Sequence, residues 1–231
     1  MDKQIICHQS KSYVWRKLGA EFLGTAFMVG AGCGSIALGW SNGAVSLTFG
    51  VAVCIAILVF GPISGAHINP AVTLGFWYNK QLESKLVAPY IFAQLLGGLS
   101  GALLSGGVGP TTPQPGVGQI QLIGIEILIT FLLMMSIFWV VFTQKLNHYI
   151  AIWVGLTVAI LAFLFGPYTG ASMNPARTFG PNALSGELNL IPIYIISCCI
   201  GALTAAMLMN ALSSKKQRDN DMIDVQLDRV P

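Results

Sequence analysis

The sequence predicts an all-α membrane protein in which six transmembrane helices and two half-helices form an inverted internal repeat. Three observations carry this. The chain is 54% hydrophobic and only 9% charged, against about 25% charged in soluble domains, and its mean hydropathy is +0.70. Its apolar residues form long continuous stretches rather than the ~10-residue alternating segments of membrane barrels. A helix-breaking stretch also occurs twice. GPISGAHINPAV (residues 61–72) and GPYTGASMNPAR (166–177) share seven of twelve positions at an offset of 105 residues.

Six apolar spans, roughly 14–38, 44–60, 86–106, 119–142, 149–165 and 190–212, each approach the ~20 residues that cross a bilayer. Two shorter segments, 71–78 and 176–184, follow the repeated stretches. At 1.5 Å per residue each makes a helix of about 15 Å, half a membrane. The first thirteen residues are polar and lack the short apolar core of a cleavable signal, so the first helix is expected to stay in the membrane. Of twelve Lys and Arg residues, eleven fall before the first span, between spans two and three or four and five, or after the sixth. The positive-inside rule therefore makes both termini cytoplasmic. The remaining one, Arg177, lies on the outer side and needs its own explanation. The Pro/Gly-rich stretch 108–118 joins two halves outside, and the polar tail 213–231 is expected to be disordered.

The repeat reaches beyond the loops. Glu21 and Glu126 share the offset of 105, EFLGT aligns with EILIT, and Pro62 aligns with Pro167. The copies cover about 15–107 and 119–212 of a domain at 14–212. Each has three spans, an odd number, so the second enters from the opposite side. Such inverted repeats build a midplane site from interrupted helices.

The repeated stretch reads as a re-entrant turn. Pro62 and Pro167 are expected to end the preceding spans. Gly65 and Gly170 allow the turn. Asn69 and Asn174 are N-caps, with Pro70 and Pro175 at the first helical position and Ala71 and Ala176 after them. Inversion sends the two half-helices in from opposite faces, so their N-termini meet near the centre. Non-helical backbone at that depth is tolerated only within protein or against water, which implies a wet path. Each N-terminus carries the equivalent of about +0.5 charge, which repels cations. The two Asn amides offer donors to a passing oxygen, and a water held by both is poorly placed to relay a proton.

Arg177 follows the second repeat directly. Intramembrane Arg is costly and faces a polar cavity. Glu21 and Glu126, inside the first and fourth spans, need donors for the same reason. His67 either lines the path or packs within its loop. Five cysteines show no metal-ligand spacing, four of them inside apolar spans, where they read as small buried hydrophobes. No residue pattern implies a metal, a cofactor, a nucleic-acid partner or catalysis. Small residues four apart, Gly30 with Gly34, Gly97 with Gly101, and Ala202 with Ala206, are read as close helix crossings.

Both Asn-Pro-Ala boxes, SGAHINPAV and TGASMNPAR, together with the repeated Glu, resemble the aquaporin family (major intrinsic proteins) over about residues 14–212. The resemblance implies a right-handed bundle of six tilted helices and two half-helices. It also implies one pore per subunit, a homotetramer, and passive passage of water and small neutral solutes across the plasma membrane (the inner membrane if the source is bacterial). Glu21 and Glu126 would brace the two loops. The family's filter maps onto Phe49, twenty residues before Asn69; Ala162 and Ala171, twelve and three before Asn174; and Arg177.

Strict water channels resemble Phe-His-small-Arg, and Ala162 replaces the His. Glycerol facilitators carry two aromatics and an Asp after the Arg, where Ala171 and Thr178 stand here. The chain departs from both patterns, and a wide filter passing glycerol, urea or ammonia is the expectation. A small rotation of the fifth span would instead turn Phe163 inward and give a strict water channel. An ion-coupled secondary transporter using Glu21 and Glu126, and a closed structural membrane protein, are the rival readings. An ion channel lacks its acidic ring or carbonyl filter motif.

Overall fold

In the computed structural model, which describes residues 3–227, eight α-helices follow one another. They are α1 (Lys3–Ala37), α2 (Asn42–Ser64), α3 (Pro70–Tyr78), α4 (Ser84–Leu104), α5 (Gln119–Phe142), α6 (Ile150–Thr169), α7 (Pro175–Ser185) and α8 (Ile191–Leu227). A short 3-10 helix, Gln144–Tyr149, leads into α6. Six helices contain apolar stretches of 20 to 26 residues, long enough to cross a bilayer. The half-helices α3 and α7 have 9 and 11 residues. No strand occurs among the described residues.

The packing repeats the sequence symmetry. Helix α1 packs on α4 and α2, just as α5 packs on α8 and α6. Each half-helix lies against the last helix of the other copy, α3 on α8 and α7 on α4. The copies are therefore interlocked rather than side by side. On the symmetry axis α2 meets α6, and the contact is between repeat mates: a Cβ on Gly50 would strike the Gly155 carbonyl, and one on Gly155 would strike that of Gly50. Such backbone-to-backbone approach is how membrane helices associate when lipid is as apolar as their side chains.

Three details differ from the sequence expectations. Pro62 and Pro167 do not end α2 and α6, which run on to Ser64 and Thr169. A proline in the last turn removes one donor but leaves the turn intact. The stop comes from left-handed Gly65 (φ 92°) and Gly170 (φ 74°), whose N–H groups donate back to Gly61 and Gly166. Residues 213–227, expected to be disordered, continue α8. A long membrane helix is a ready nucleus, and extending it costs far less than starting one. Residues 228–231 of the expected tail, and 1–2 at the other end, lie outside the described residues.

Gly34 has open space around it, so it is no crossing point within the chain. Gly97 and Gly101 do meet α1, at the carbonyls of Phe22 and Ala26. Ala202 and Ala206 are fully buried. On α8 a Cβ at Gly201 would strike the carbonyl of Ile127 on α5.

Gly155→Leu should abolish the monodisperse detergent-solubilised protein seen by size-exclusion chromatography, since an overpacked core costs about 1–3 kcal/mol even when neighbours can shift and backbone cannot. Gly34→Ala should leave it intact. A folded Gly155→Leu protein would contradict this account of the axis.

Candidate functional site: the crossed half-helices and their channel

Each re-entrant loop holds two non-glycine residues with positive φ before its extended asparagine. Ala66 and Ile68 (φ 46° and 44°) match Ala171 and Met173 (φ 41° and 53°) in register. Non-glycine residues there are strained and persist only where surroundings over-determine them. The constraint comes from the two intramembrane carboxylates, both fully buried. Glu21 accepts from the backbone N–H of His67 (2.9 Å) and Ile68 (2.6 Å), from Ser64 Oγ (2.7 Å) and from Gln94 Nε2 (2.8 Å). Glu126 accepts from the N–H of Ser172 (3.0 Å) and Met173 (3.1 Å), from Thr169 Oγ1 (2.7 Å), and weakly from the Cys198 thiol (3.8 Å). Behind each loop a tyrosine hydroxyl, Tyr90 or Tyr194, donates to the carbonyl of Ser64 or Thr169.

The asparagines close the centre. Asn69 Oδ1 caps α3 by accepting from Ala71 N–H (2.9 Å), and Asn174 Oδ1 caps α7 by accepting from Ala176 N–H (2.9 Å). Their amides then cross: Asn69 Nδ2 donates to the Met173 carbonyl and Asn174 Nδ2 to the Ile68 carbonyl, both at 2.8 Å. Each amide thereby uses one N–H to tie down the opposite loop and keeps the other. Both asparagines line one cavity of about 290 Å³, together with the loop residues from Gly65 to Ile68 and from Gly170 to Met173.

The rest of that wall is mostly aliphatic. A stripe on α6, Ile150, Val154, Val158, Ala162 and Gly166, recurs every four residues and faces it. The register of this stripe follows from Gly155 meeting Gly50 on the adjacent face. Phe163 falls next around the helix, is 54% exposed, and lies on the outer surface beside Gly43. The reading in which Phe163 narrows the path is thus overturned by helix packing.

Phe49, Ala162, Ala171 and Arg177 all line the cavity. Arg177 is 5% exposed. Its Nη1 donates to the Gly109 carbonyl (2.8 Å) and lies 3.7 Å from Cys33 Sγ, while Cζ stands 4.8 Å from the Phe49 ring centroid. The Pro/Gly-rich loop 108–118, which joins the halves, therefore also fixes the arginine. A Thr111–Asn182 pair anchors the loop by reciprocal 2.9 Å bonds to α7. At the other end His67 also lines the cavity. Its ring stacks on Phe76 (4.7 Å, 11°) and its Nδ1 lies 3.2 Å from Thr73 Oγ1. The histidine is thus both packed within its half of the fold and in the cavity lining.

Sequence reasoning missed Gln94, Tyr90, Tyr194, Thr111, Asn182 and Gly109. Tyr90 and Tyr194 were detectable, since they stand in the third spans of the two copies at an offset of 104.

Removing charge from either brace should cost about 3 kcal/mol or more, because hydrogen bonds to charged groups contribute about 1.5–3 each. Glu21, with four firm donors, should cost more than Glu126. Thermal unfolding in detergent of Glu21→Gln and Glu126→Gln measures this, and equal shifts would contradict the asymmetry.

Comparison with known proteins agrees with the geometry. The family profile described as Major intrinsic protein matches residues 8–209. Aquaporin AqpM of Methanothermobacter thermautotrophicus is 38% identical over 238 residues, covering 85% of this chain and 96% of that protein. Aquaporin NIP1-1 of Zea mays is 36% identical over 210 residues, covering 85% and 74%. Among solved structures, the aquaglyceroporin from Plasmodium falciparum superposes with a TM-score of 0.78 at 26% identity, covering 84% of this chain and 94% of that one. Two interlocked inverted copies, two crossed asparagine-capped half-helices and this kinship lead to one conclusion: the chain belongs to the major intrinsic protein family, the aquaporin-type membrane channels.

Proposed function

We propose that the cavity conducts water together with small neutral solutes such as glycerol, urea or ammonia, with its aperture at Phe49, Ala162, Ala171 and Arg177. The observation that carries this is Ala162 on the wall of the same cavity that Arg177 lines, where the strict water-channel pattern has a histidine. Selectivity in aquaporin-type pores generally comes from pore diameter, lining donors and acceptors, and electrostatic barriers. Here Arg177 supplies a fixed cation and donors at one end. The half-helix N-termini supply positive potential and the free Asn69 and Asn174 N–H groups at the centre. Neutral molecules that accept hydrogen bonds pass, and cations meet two barriers. The aliphatic walls offer little to bind, which supports fast, weakly retained passage.

The transporter reading needs an accessible coupling group. Glu21 and Glu126 are fully buried, engaged with loop donors and absent from the cavity wall, which supports a bracing role. The reading further places the protein in a plasma membrane, or an inner membrane in a bacterium, as a homotetramer with both termini cytoplasmic. The eleven basic residues on one side support the orientation.

Stopped-flow light scattering on proteoliposomes tests the function. Water and glycerol permeability should both exceed those of empty vesicles and should not saturate or follow an ion gradient. Absence of both fluxes would support a closed structural protein, and ion-driven flux a transporter. Ala162→His should lower glycerol permeability by about tenfold, the effect of roughly 1.4 kcal/mol on a barrier, and spare water. Unchanged glycerol flux would defeat the assignment of the aperture.

A further inference from the structure

Gly32 lies on α1, buried and outside the cavity wall. A Cβ built there would overlap three atoms of the Phe49 ring. That ring is 7% exposed, lines the cavity, and has the Arg177 guanidinium on it. Arg177 is itself held by the Gly109 carbonyl. With the α1 backbone on one side and a tethered arginine on another, the direction left to a displaced ring is the lumen.

The repeat supplies an internal control. The mates of Gly32 and Phe49, 105 residues on, are Ile137 and Val154, both at the cavity wall. One copy thus pairs the smallest residue with an aromatic, and the other pairs two middle-sized aliphatics. The division of volume differs while the place in the repeat is the same. Inversion puts the two pairs at opposite ends of the path, so the glycine occurs at the end that carries the arginine and the ring. Glycine in a helix interior is disfavoured relative to alanine, and here the space it leaves is occupied.

We propose that Gly32 is a specificity-determining positioning residue: by receiving the Phe49 ring it sets the aperture of the outer end, and so the largest neutral solute that passes. This rests on the assignment of Phe49 to the aperture in the reading above.

The test compares wild type, Gly32→Ala, Phe49→Val and Gly32→Ile/Phe49→Val in proteoliposomes. All are normalised to reconstituted folded protein, with water, urea and glycerol as probes. Gly32→Ala is expected to cut permeability in order of probe size, glycerol about tenfold and water least. Phe49→Val is expected to raise glycerol permeability, and adding Gly32→Ile to it to bring that value back down, because the isoleucine refills the space the ring left. If Gly32→Ala yields too little folded protein, the last two variants decide alone. Equal glycerol permeability in Phe49→Val and Gly32→Ile/Phe49→Val would overturn the proposal. If Phe49→Val itself changes neither water nor solute flux, the aperture assignment has failed, and the proposal with it. A uniform fall for all probes in Gly32→Ala would point to general damage and would also overturn it.

Discussion

Two asparagine amides reach across the centre of this protein, each holding the other's loop, and most of the structure follows from what that contact demands. A chain that leaves its helix in mid-membrane exposes backbone groups that lipid cannot satisfy. The Asn69 and Asn174 side chains satisfy two N-termini with their oxygens and two opposing carbonyls with their nitrogens. Neither copy can do this alone, because each amide needs a carbonyl from the other. The interlocked packing, with α3 on α8 and α7 on α4, is the tertiary expression of that mutual need.

The remaining loop groups divide into two sets. The N–H groups beside each asparagine point back into protein, where Glu21 and Glu126 accept them. The same loop residues also line the cavity. The loop conformation thus pairs its polar groups within the protein, with N–H donors spent on the buried carboxylates and the Ile68 and Met173 carbonyls on the crossing amides. That pairing keeps both carboxylates off the cavity wall.

Much of this was legible in the sequence. Asn-Pro fixes a cap and a first turn locally, so Asn69 and Asn174 announced their helices. An odd number of spans per copy fixed the inversion. The carboxylates stood out because apolar surroundings make any charge conspicuous. What was not legible depends on side chains meeting across the fold. Pro62 and Pro167 read as stops, but the left-handed glycines three residues later end the helices. Phe163 remained open because the face of α6 turned inward is set by Gly155 meeting Gly50. Gly109 and Gly32 were invisible because each acts through a partner in another element, Arg177 or Phe49, and no local pattern marks such pairs.

The mutual dependence of the two loops is the claim on which the rest stands, and a double-mutant cycle on Asn69→Ala and Asn174→Ala measures it most directly. Unfolding free energies of the wild type, both single variants and the double variant, taken in one detergent, give the coupling. If each amide holds the other's loop, either single change should release both loops, and the double variant should be less damaged than the sum by about 1 kcal/mol or more. Strict additivity would mean that the two caps act independently and would contradict the account.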